Sequence, residues 1–270
     1  AWIAAAGIIL SILSILSFYF VNIEATISAS AFPRNVKYEK KEPLKAISSY
    51  SKAAEGSIYE NDFKFVAAER GILVLENYNP EKRGEIAKIL YKDKKHLEIL
   101  LEKKGRRYAD LYEYLARIYE WNYLVFKNPQ DLKRMEEILK RGIEFNSQRP
   151  EFYGLMGELK VIEEKEGEAK EFFRKRADLF PRSSFEYYKS LGTALVKAGK
   201  EEEGAPYLKK AVYETKRPTK NNLKFVEGVA LLYCKELGDK ESFLEVYSYL
   251  MELSPKDKPI LEKHLDLLLK

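Results

Sequence analysis

The chain has 270 residues, of which 46% are hydrophobic and 33% charged, so it is too apolar for a disordered protein and can form a sizeable core. Its net charge of +5 is the small difference between 47 basic and 42 acidic residues, and the two signs are mixed along the sequence. A dedicated nucleic-acid binder concentrates its positive charge, so no nucleic-acid partner is expected.

Residues 1–23 contain no charged side chain. A helix of that length would be about 34 Å long, enough to cross a hydrocarbon core of about 30 Å. The stretch predicts a transmembrane helix over residues 1–23, with membrane lipid as its partner and the membrane as the localisation of the protein. A secretory signal peptide is the alternative, because Ala29-Ser30-Ala31 has the form of a cleavage site. Against a signal peptide, no basic segment precedes the apolar run.

Residues 24–42 are predicted to form a juxtamembrane linker, since Pro33 disfavours a helix here. Basic residues beside the predicted span favour the cytoplasmic side for the following domain; they are Arg34, Lys37, Lys40, Lys41 and Lys45. The flank before the span is missing, so the membrane side stays open. Because the chain begins with Ala, we expect a fragment of a longer protein, cut just before its last span.

From residue 43 onward, apolar residues return at intervals of three and four, which predicts an all-α fold of paired helices. In 185–218, small and large residues line two helices around a turn at Gly199; they are Tyr188, Leu191, Gly192, Leu195, then Gly204, Leu208 and Ala211. A shift of about 35 residues toward the N-terminus aligns Tyr153, Met156 and Gly157 with the first helix, and Ala169 and Phe173 with the second. Further pairs are predicted around a turn at Asn128-Pro129 and up to Pro255.

This spacing resembles the tetratricopeptide repeat, a helical hairpin of about 34 residues. The sequence departs from the repeat at Arg176, where a small residue is usual, and at Lys216, where Pro is usual. The resemblance implies a tetratricopeptide-like α-solenoid of antiparallel hairpins over residues 43–255, with a generic helical bundle as the alternative.

Residues 256–270 are predicted to form a C-terminal capping helix. Its apolar side would cover the last hairpin with Ile260, Leu261, Leu265 and Leu268. Its polar side would face water with Lys256, Lys258, Glu262, Lys263 and Asp266.

No residue of this chain is predicted to be catalytic or to bind a cofactor or a metal. His96 and His264 are far apart in sequence and are interpreted as surface residues, and Cys234 is interpreted as a buried, inert thiol. The basic runs 92–95 and 103–107 are predicted to be helix ends and turns; contact with anionic lipid is the alternative. We therefore expect no enzyme activity in these 270 residues.

In the tetratricopeptide family the first helices of the hairpins line a concave groove that binds peptides. The resemblance implies a peptide groove formed by Arg117, Glu120, Trp121, Glu158, Lys189, Thr193, Val196 and Lys197. A tryptophan with an arginine four residues earlier is a plausible binding hot spot; Trp121 packed beneath the turn at 122–130 is the alternative. The expected partner is a protein or peptide close to the membrane.

The apolar stretch ending in FYFVNI, followed by PLKAISSYSKAAEG, resembles the C-terminal tail of bacterial O-antigen ligase family membrane proteins. These are polytopic glycan ligases or polymerases, whose catalytic loop has no counterpart in this sequence. Two functions are therefore expected as alternatives. The first is a membrane-anchored protein-interaction scaffold, and the second is the docking or regulatory tail of a glycan-assembly enzyme.

Overall fold

A computed structural model describes residues 42–53, 60–77, 83–104, 109–180, 183–216 and 219–268. In these ranges the chain is all-helical, as the periodicity of its apolar residues predicts. The helices are α1 Pro43–Ala53, α2 Glu60–Asn77, α3 Arg83–Lys104, α4 Ala109–Phe126, α5 Pro129–Phe145, α6 Pro150–Ile162, α7 Glu166–Asp178, α8 Ser183–Lys197, α9 Glu201–Tyr213, α10 Lys220–Lys235, α11 Lys240–Leu253 and α12 Lys258–Leu268.

The predicted membrane span requires a correction. Residues 1–23, and the predicted linker up to residue 41, lie outside the residues that the structure describes. Of the helices in the described ranges, none is both long and apolar enough to cross a membrane. The fold class is therefore corrected from a membrane-anchored repeat array to an all-helical fold, and the prediction of a membrane localisation is withdrawn.

The chain divides into two compact units between Asn146 and Ser147, so α1–α5 form the N-terminal unit and α6–α12 the C-terminal unit. Within each unit, helices that are neighbours in sequence pack against each other, and α1 also contacts α3, α2 contacts α4, and α6 contacts α8. Connections of two to four residues join α4 to α5, α6 to α7, α8 to α9 and α10 to α11. Such short connections make each pair an antiparallel hairpin, a repeat-like arrangement that is compatible with an α-solenoid.

The two helices of a hairpin approach closely where one of them carries glycine. A Cβ atom on Gly157 would lie 2.6 Å from Cε1 of Phe173, and a Cβ atom on Gly192 would lie 2.7 Å from Cγ of Leu208. The helices approach as closely at Gly204, because a Cβ atom there would lie 2.7 Å from the backbone oxygen of Gly192. The same contact between a small and a large residue thus recurs in α6–α7 and α8–α9, at the spacing predicted from the sequence.

Apolar side chains continue this packing from one hairpin to the next. One buried cluster joins α6, α7 and α8 through Val161, Phe173 and Leu191, among others. A second cluster joins α9, α10 and α11 through residues such as Leu208, Val229 and Phe243. The core of the C-terminal unit therefore runs along the stack of helices, as expected when each hairpin buries its apolar face against the next one.

Turn and capping residues set the ends of the helices. The side chain of Asn128 accepts a hydrogen bond from the backbone N–H of Gln130, and Pro129 occupies the first turn of α5. Gly199 adopts a positive φ of 80° between α8 and α9, a conformation that glycine reaches without strain. The turns predicted at Asn128-Pro129 and at Gly199 are confirmed.

Helix α12 covers the end of the C-terminal unit only in part. Its Leu261, Leu265 and Leu268 pack against the last core cluster, as the sequence predicts. Ile260, which was expected to join them, is 69% exposed, and Leu267 is 70% exposed. No residue of α12 is fully buried. The predicted polar side is exposed at all five positions, which are Lys256, Lys258, Glu262, Lys263 and Asp266.

A buried lysine joins the first three helices of the N-terminal unit. The Nζ atom of Lys64 in α2 lies 2.9 Å from Oδ1 of Asp93 in α3, and 2.9 Å from both the Oγ atom and the backbone oxygen of Ser51 in α1. The Lys64 and Asp93 side chains are 2% and 4% exposed. The prediction that the basic run 92–95 is a helix end or turn is therefore wrong, since this run lies inside α3 and contains the buried partner of Lys64.

Alanine at two glycines should have opposite effects on stability. Gly192→Ala places a methyl group 2.9 Å from the backbone oxygen of Gly204, so it should lower the free energy of unfolding by about 1–3 kcal/mol. Gly228→Ala, in the exposed interior of α10, meets nothing within 4 Å and should raise it by about 0.5–1 kcal/mol. Urea unfolding of both variants measures the difference. Equal effects at the two positions would argue against the close approach of α8 and α9.

The buried pair between α2 and α3 should show strong coupling. Asp93→Leu leaves the Lys64 ammonium buried without its carboxylate and should cost about 3–5 kcal/mol of unfolding free energy. The double variant Lys64→Met with Asp93→Leu should recover most of that loss, because an apolar pair of similar volume replaces the ion pair. A double-mutant cycle measured by urea unfolding tests this, and additive losses would contradict it.

Candidate functional site

The residues of the predicted peptide groove belong to both structural units. Arg117, Glu120 and Trp121 lie on α4 in the N-terminal unit. The other five lie on α6 and α8 in the C-terminal unit; they are Glu158, Lys189, Thr193, Val196 and Lys197.

The α4 residues lie largely within the packed structure of the N-terminal unit. Glu120 is fully buried and Trp121 is 7% exposed. The guanidinium carbon of Arg83 lies 5.3 Å from the centre of the Trp121 ring, a cation–π contact. Partly buried Arg117 donates a hydrogen bond from Nε to Oε1 of Glu113 over 3.2 Å. A partner could reach little of Trp121 without a change in this packing, and the hot-spot role stays a prediction.

The residues on α6 and α8 form a more accessible surface. Lys197 in α8 donates a hydrogen bond to Oε2 of Glu158 in α6 over 2.8 Å, so this ion pair joins the first helices of two successive hairpins. Thr193, one turn earlier on α8, is exposed, and Val196 is partly buried. The structure therefore brings Glu158 and Lys197 together and leaves Thr193 open to a partner.

Aromatic rings surround Lys189, which the sequence did not indicate. Its Nζ atom lies 5.4 Å from the centre of the Phe185 ring and 5.7 Å from that of Phe225 in α10. The two rings meet edge to face, with their centres 5.7 Å apart. The repeat spacing is the signal that could have revealed this neighbourhood, because Lys224, next to Phe225, stands one repeat after Lys189.

Arg176, the arginine that departs from the repeat pattern, contacts side chains of α8. Arg176 in α7 donates a hydrogen bond from one terminal nitrogen to Oγ of Ser190 in α8 over 2.8 Å. Its other terminal nitrogen lies 3.9 Å from Glu186. Space for the side chain comes from Gly154 in α6, where a Cβ atom would lie 3.1 Å from Cδ of Arg176. The long side chain is thus accommodated by a glycine on the helix opposite.

A lysine with two carboxylates lies at the end of α6. Lys160, whose side chain is 4% exposed, lies 2.8 Å from Oε2 of Glu163 and 3.9 Å from Oε2 of Glu168. Lys165 also reaches Glu163, over 3.0 Å. Burial raises the pKa of Glu163, but hydrogen bonds from the two lysines outweigh it and hold the pKa below the usual range. The charged cluster therefore stabilises the turn between α6 and α7.

A cleft of about 550 Å³ lies between α3, α4 and α5. Tyr119 on its wall donates a hydrogen bond to Oε1 of Glu98 over 2.5 Å, and burial together with this carboxylate raises the pKa of Tyr119 well above its usual value. Arg134 pairs with Glu137 across 2.9 Å. These charged and polar groups have partners inside the cleft, which lowers their value as groups for recognising a ligand.

A cleft of about 670 Å³ in the C-terminal unit is lined by Lys209, Lys210 and Tyr213 of α9 and by Tyr233 of α10, among others. Lys209 lies 2.5 Å from Oε2 of Glu245 and 3.2 Å from Oγ of Ser242, and Tyr213 donates a hydrogen bond to the same carboxylate. Burial and the charges of nearby carboxylates raise the pKa of Tyr233 to about 12. The charge of Lys209 is therefore balanced within this cleft too.

Among the described residues, no group of three His, Cys, Asp or Glu side chains could hold a metal ion. Cys234 is a free thiol that is partly buried against the last core cluster, so it is less enclosed than predicted. His264, which was interpreted as a surface residue, has a side chain that is 40% exposed, and its Nδ1 atom lies 3.1 Å from the Tyr247 hydroxyl and 3.9 Å from Oε1 of Glu227. His96 is partly buried within α3.

No protein-family model matches this chain, and no curated protein matches it. The resemblances to the tetratricopeptide repeat and to O-antigen ligase tails therefore stay predictions from the sequence. Any assignment of function depends on the geometry of the helices and their exposed side chains.

The charged turn after α6 should make stability depend on acid pH. Glu163 has a depressed pKa in the folded chain, so its contribution is present above its unfolded pKa of about 4.3 and is lost as pH falls through the folded value. The unfolding free energies of wild type and Glu163→Gln should therefore differ more at pH 6 than at pH 3. Urea unfolding from pH 3 to pH 6 measures this difference in unfolding free energy. Glu171→Gln, at an exposed position, is the control. A difference that increased toward pH 3 would contradict the depressed pKa of Glu163.

Proposed function

We propose that this chain is a tetratricopeptide-like scaffold that binds a partner polypeptide and carries out no chemistry in these 270 residues. The observation that carries the proposal is the hairpin contact repeated at Gly157–Phe173 and Gly192–Leu208. Repeat stacks of this kind present the outer faces of successive helices as one extended surface, which is the usual binding surface of such proteins.

The face of α8 supplies groups that suit a polypeptide ligand. Thr193 is exposed, and a side chain of a partner could approach the helix there without a bulky neighbour at that position. Lys189 provides a positive charge above the Phe185 and Phe225 rings, and the pair of Lys197 with Glu158 provides a polar edge. Aromatic rings beside charged groups are typical of energetically important positions in protein interfaces.

Site-specific cross-linking tests the proposed surface. A photoreactive benzoylphenylalanine at position 193 of the full chain should capture a defined polypeptide from the native cell. The same group in place of Leu244, which is 39% exposed on the second helix of a hairpin, is the matched control and should not capture that polypeptide. Identical capture at both positions would contradict a specific surface on α8.

The captured polypeptide then allows a quantitative test. Lys189→Glu should weaken its binding to the full chain about tenfold, since an interface hot spot is worth about 1–2 kcal/mol or more. Lys175→Glu makes the same charge change on exposed α7 and should leave the affinity unchanged. Isothermal titration calorimetry measures both variants, with circular dichroism to confirm that each is folded. Turnover of a substrate by the purified chain would overturn the scaffold assignment.

A further inference from the structure

A third cleft, here named the C-terminal groove, lies between α10, α11 and α12 and has a volume of about 530 Å³. Such a volume is within the range of pockets that hold a small ligand or a few side chains. Its apolar lining comes from Leu223 on α10, Leu250 on α11, and Ile260 and Leu261 on α12. The groove therefore offers apolar surface from all three helices at the end of the C-terminal unit.

The apolar lining is incompletely covered at Ile260. This side chain is 69% exposed although it borders the groove, whereas Leu250 at the base is 3% exposed. A bulky side chain of a ligand could lie against Leu223 and Leu261 and remove Ile260 from water, which would favour binding through the hydrophobic effect.

Two of the four charged residues that line the groove are lysines on α10. Lys220 and Lys224 are both exposed, line the groove, and lie one helical turn apart on the same face of α10. Neither makes an ion pair or a hydrogen bond with another residue in the described ranges. In the other two clefts, by contrast, Arg134 and Lys209 each pair with a carboxylate.

Each of the two carboxylates that line the groove has a polar neighbour. Asp257 accepts a hydrogen bond from Oγ of Ser254 over 2.6 Å, and Oε1 of Glu227 lies 3.9 Å from Nδ1 of His264. The lysines are therefore the charged groups of this groove that have no partner in the described ranges, so an anionic group of a ligand could pair with them.

We propose that the C-terminal groove binds an acidic polypeptide segment that carries a bulky apolar side chain between its carboxylates. The apolar side chain packs against Leu223, Leu261 and Ile260, and the carboxylates pair with Lys220 and Lys224. This inference rests on the proposed scaffold function and adds to it a second surface with a ligand of stated chemistry. The surface on α8 involves different residues, so the two assignments can fail separately.

An arrayed set of synthetic heptapeptides tests the ligand chemistry. Each contains two Glu and one Leu or Phe in every arrangement, with Gly and Ser elsewhere, and binding to the full chain is measured by fluorescence polarisation. At least one arrangement should bind, and replacing both Glu by Gln should weaken that peptide at least tenfold at low salt. Salt should also weaken it, because exposed charges are screened. No binding by any arrangement, or equal binding of the Gln peptides, would overturn the proposal.

Charge reversal tests the location. Lys220→Glu with Lys224→Glu should lower the affinity for the selected peptide at least tenfold. The matched control is Lys92→Glu with Lys95→Glu, which makes the same charge change at two exposed positions of α3. Equal loss in both double variants would point to the overall charge of the chain and overturn the groove as the site.

Two exposed residues of α12 test the apolar contact. Ile260→Ser should weaken the selected peptide several-fold, whereas Leu267→Ser, at a position that is 70% exposed and does not line the groove, should leave it unchanged. Because both side chains are mostly in water, neither change should unfold the chain. If Ile260→Ser and the double lysine variant both keep the wild-type affinity, the groove is not the binding site of the peptide, and the scaffold function is unaffected by that result. The scaffold function itself would fail if cross-linking at position 193 captured no specific polypeptide.

Discussion

The fold of the C-terminal unit depends on how closely the two helices of a hairpin can approach. At Gly157 and Gly192 the missing side chain leaves room for Phe173 and Leu208, and neither pair could keep its spacing with a Cβ atom present. The close approach allows Phe173 to join the cluster that contains Leu191, and Leu208 to join the cluster that contains Val229. A substitution at one of these glycines therefore affects two interfaces, the one between the two helices of the hairpin and the one between this hairpin and the adjoining helix.

Several charged residues enter this packing beside a specific partner. Arg176 fits opposite Gly154 and reaches Ser190, Lys160 lies beside Glu163, and the same rule holds for Lys64 in the N-terminal unit. The free-energy cost of burying a charge is large, so each of these side chains must bring hydrogen bonds with it. Such pairs fix the relative positions of helices, since an ion pair is satisfied in one arrangement only, whereas apolar side chains tolerate several.

Sequence reasoning could predict those features that depend on local spacing. The glycines at 157 and 192, the turn at Gly199 and the partly buried leucines of α12 all follow from the periodicity of small, large and polar residues. Periodicity identifies the apolar face of a helix, but it does not identify what lies opposite that face. For this reason the exposure of Ile260 and the position of Asp93 inside the N-terminal unit could not be predicted.

The prediction of the peptide-groove residues was limited in the same way. An exposed polar residue such as Thr193 can be inferred from the helical face alone, and the structure leaves it accessible. Trp121 lies on the helix that the resemblance indicates, yet it is buried with Arg83 against its ring. A repeat pattern thus predicts which helix faces can bind a partner. Whether a given side chain reaches solvent depends on long-range contacts that the pattern does not contain.

Helix α12 packs on the C-terminal unit as a single helix and not as part of a hairpin. In this unit α6–α7 and α8–α9 each pack against the helix that follows them, and α11 is followed by α12, which has 11 residues. That helix covers the last core cluster with three leucines and leaves Leu223 and Leu250 bordering an open groove. A helix that only kept this core from water would be expected to close the surface with polar side chains. Here the open edge carries Ile260 and two exposed lysines, so it offers a ligand both an apolar and a charged contact.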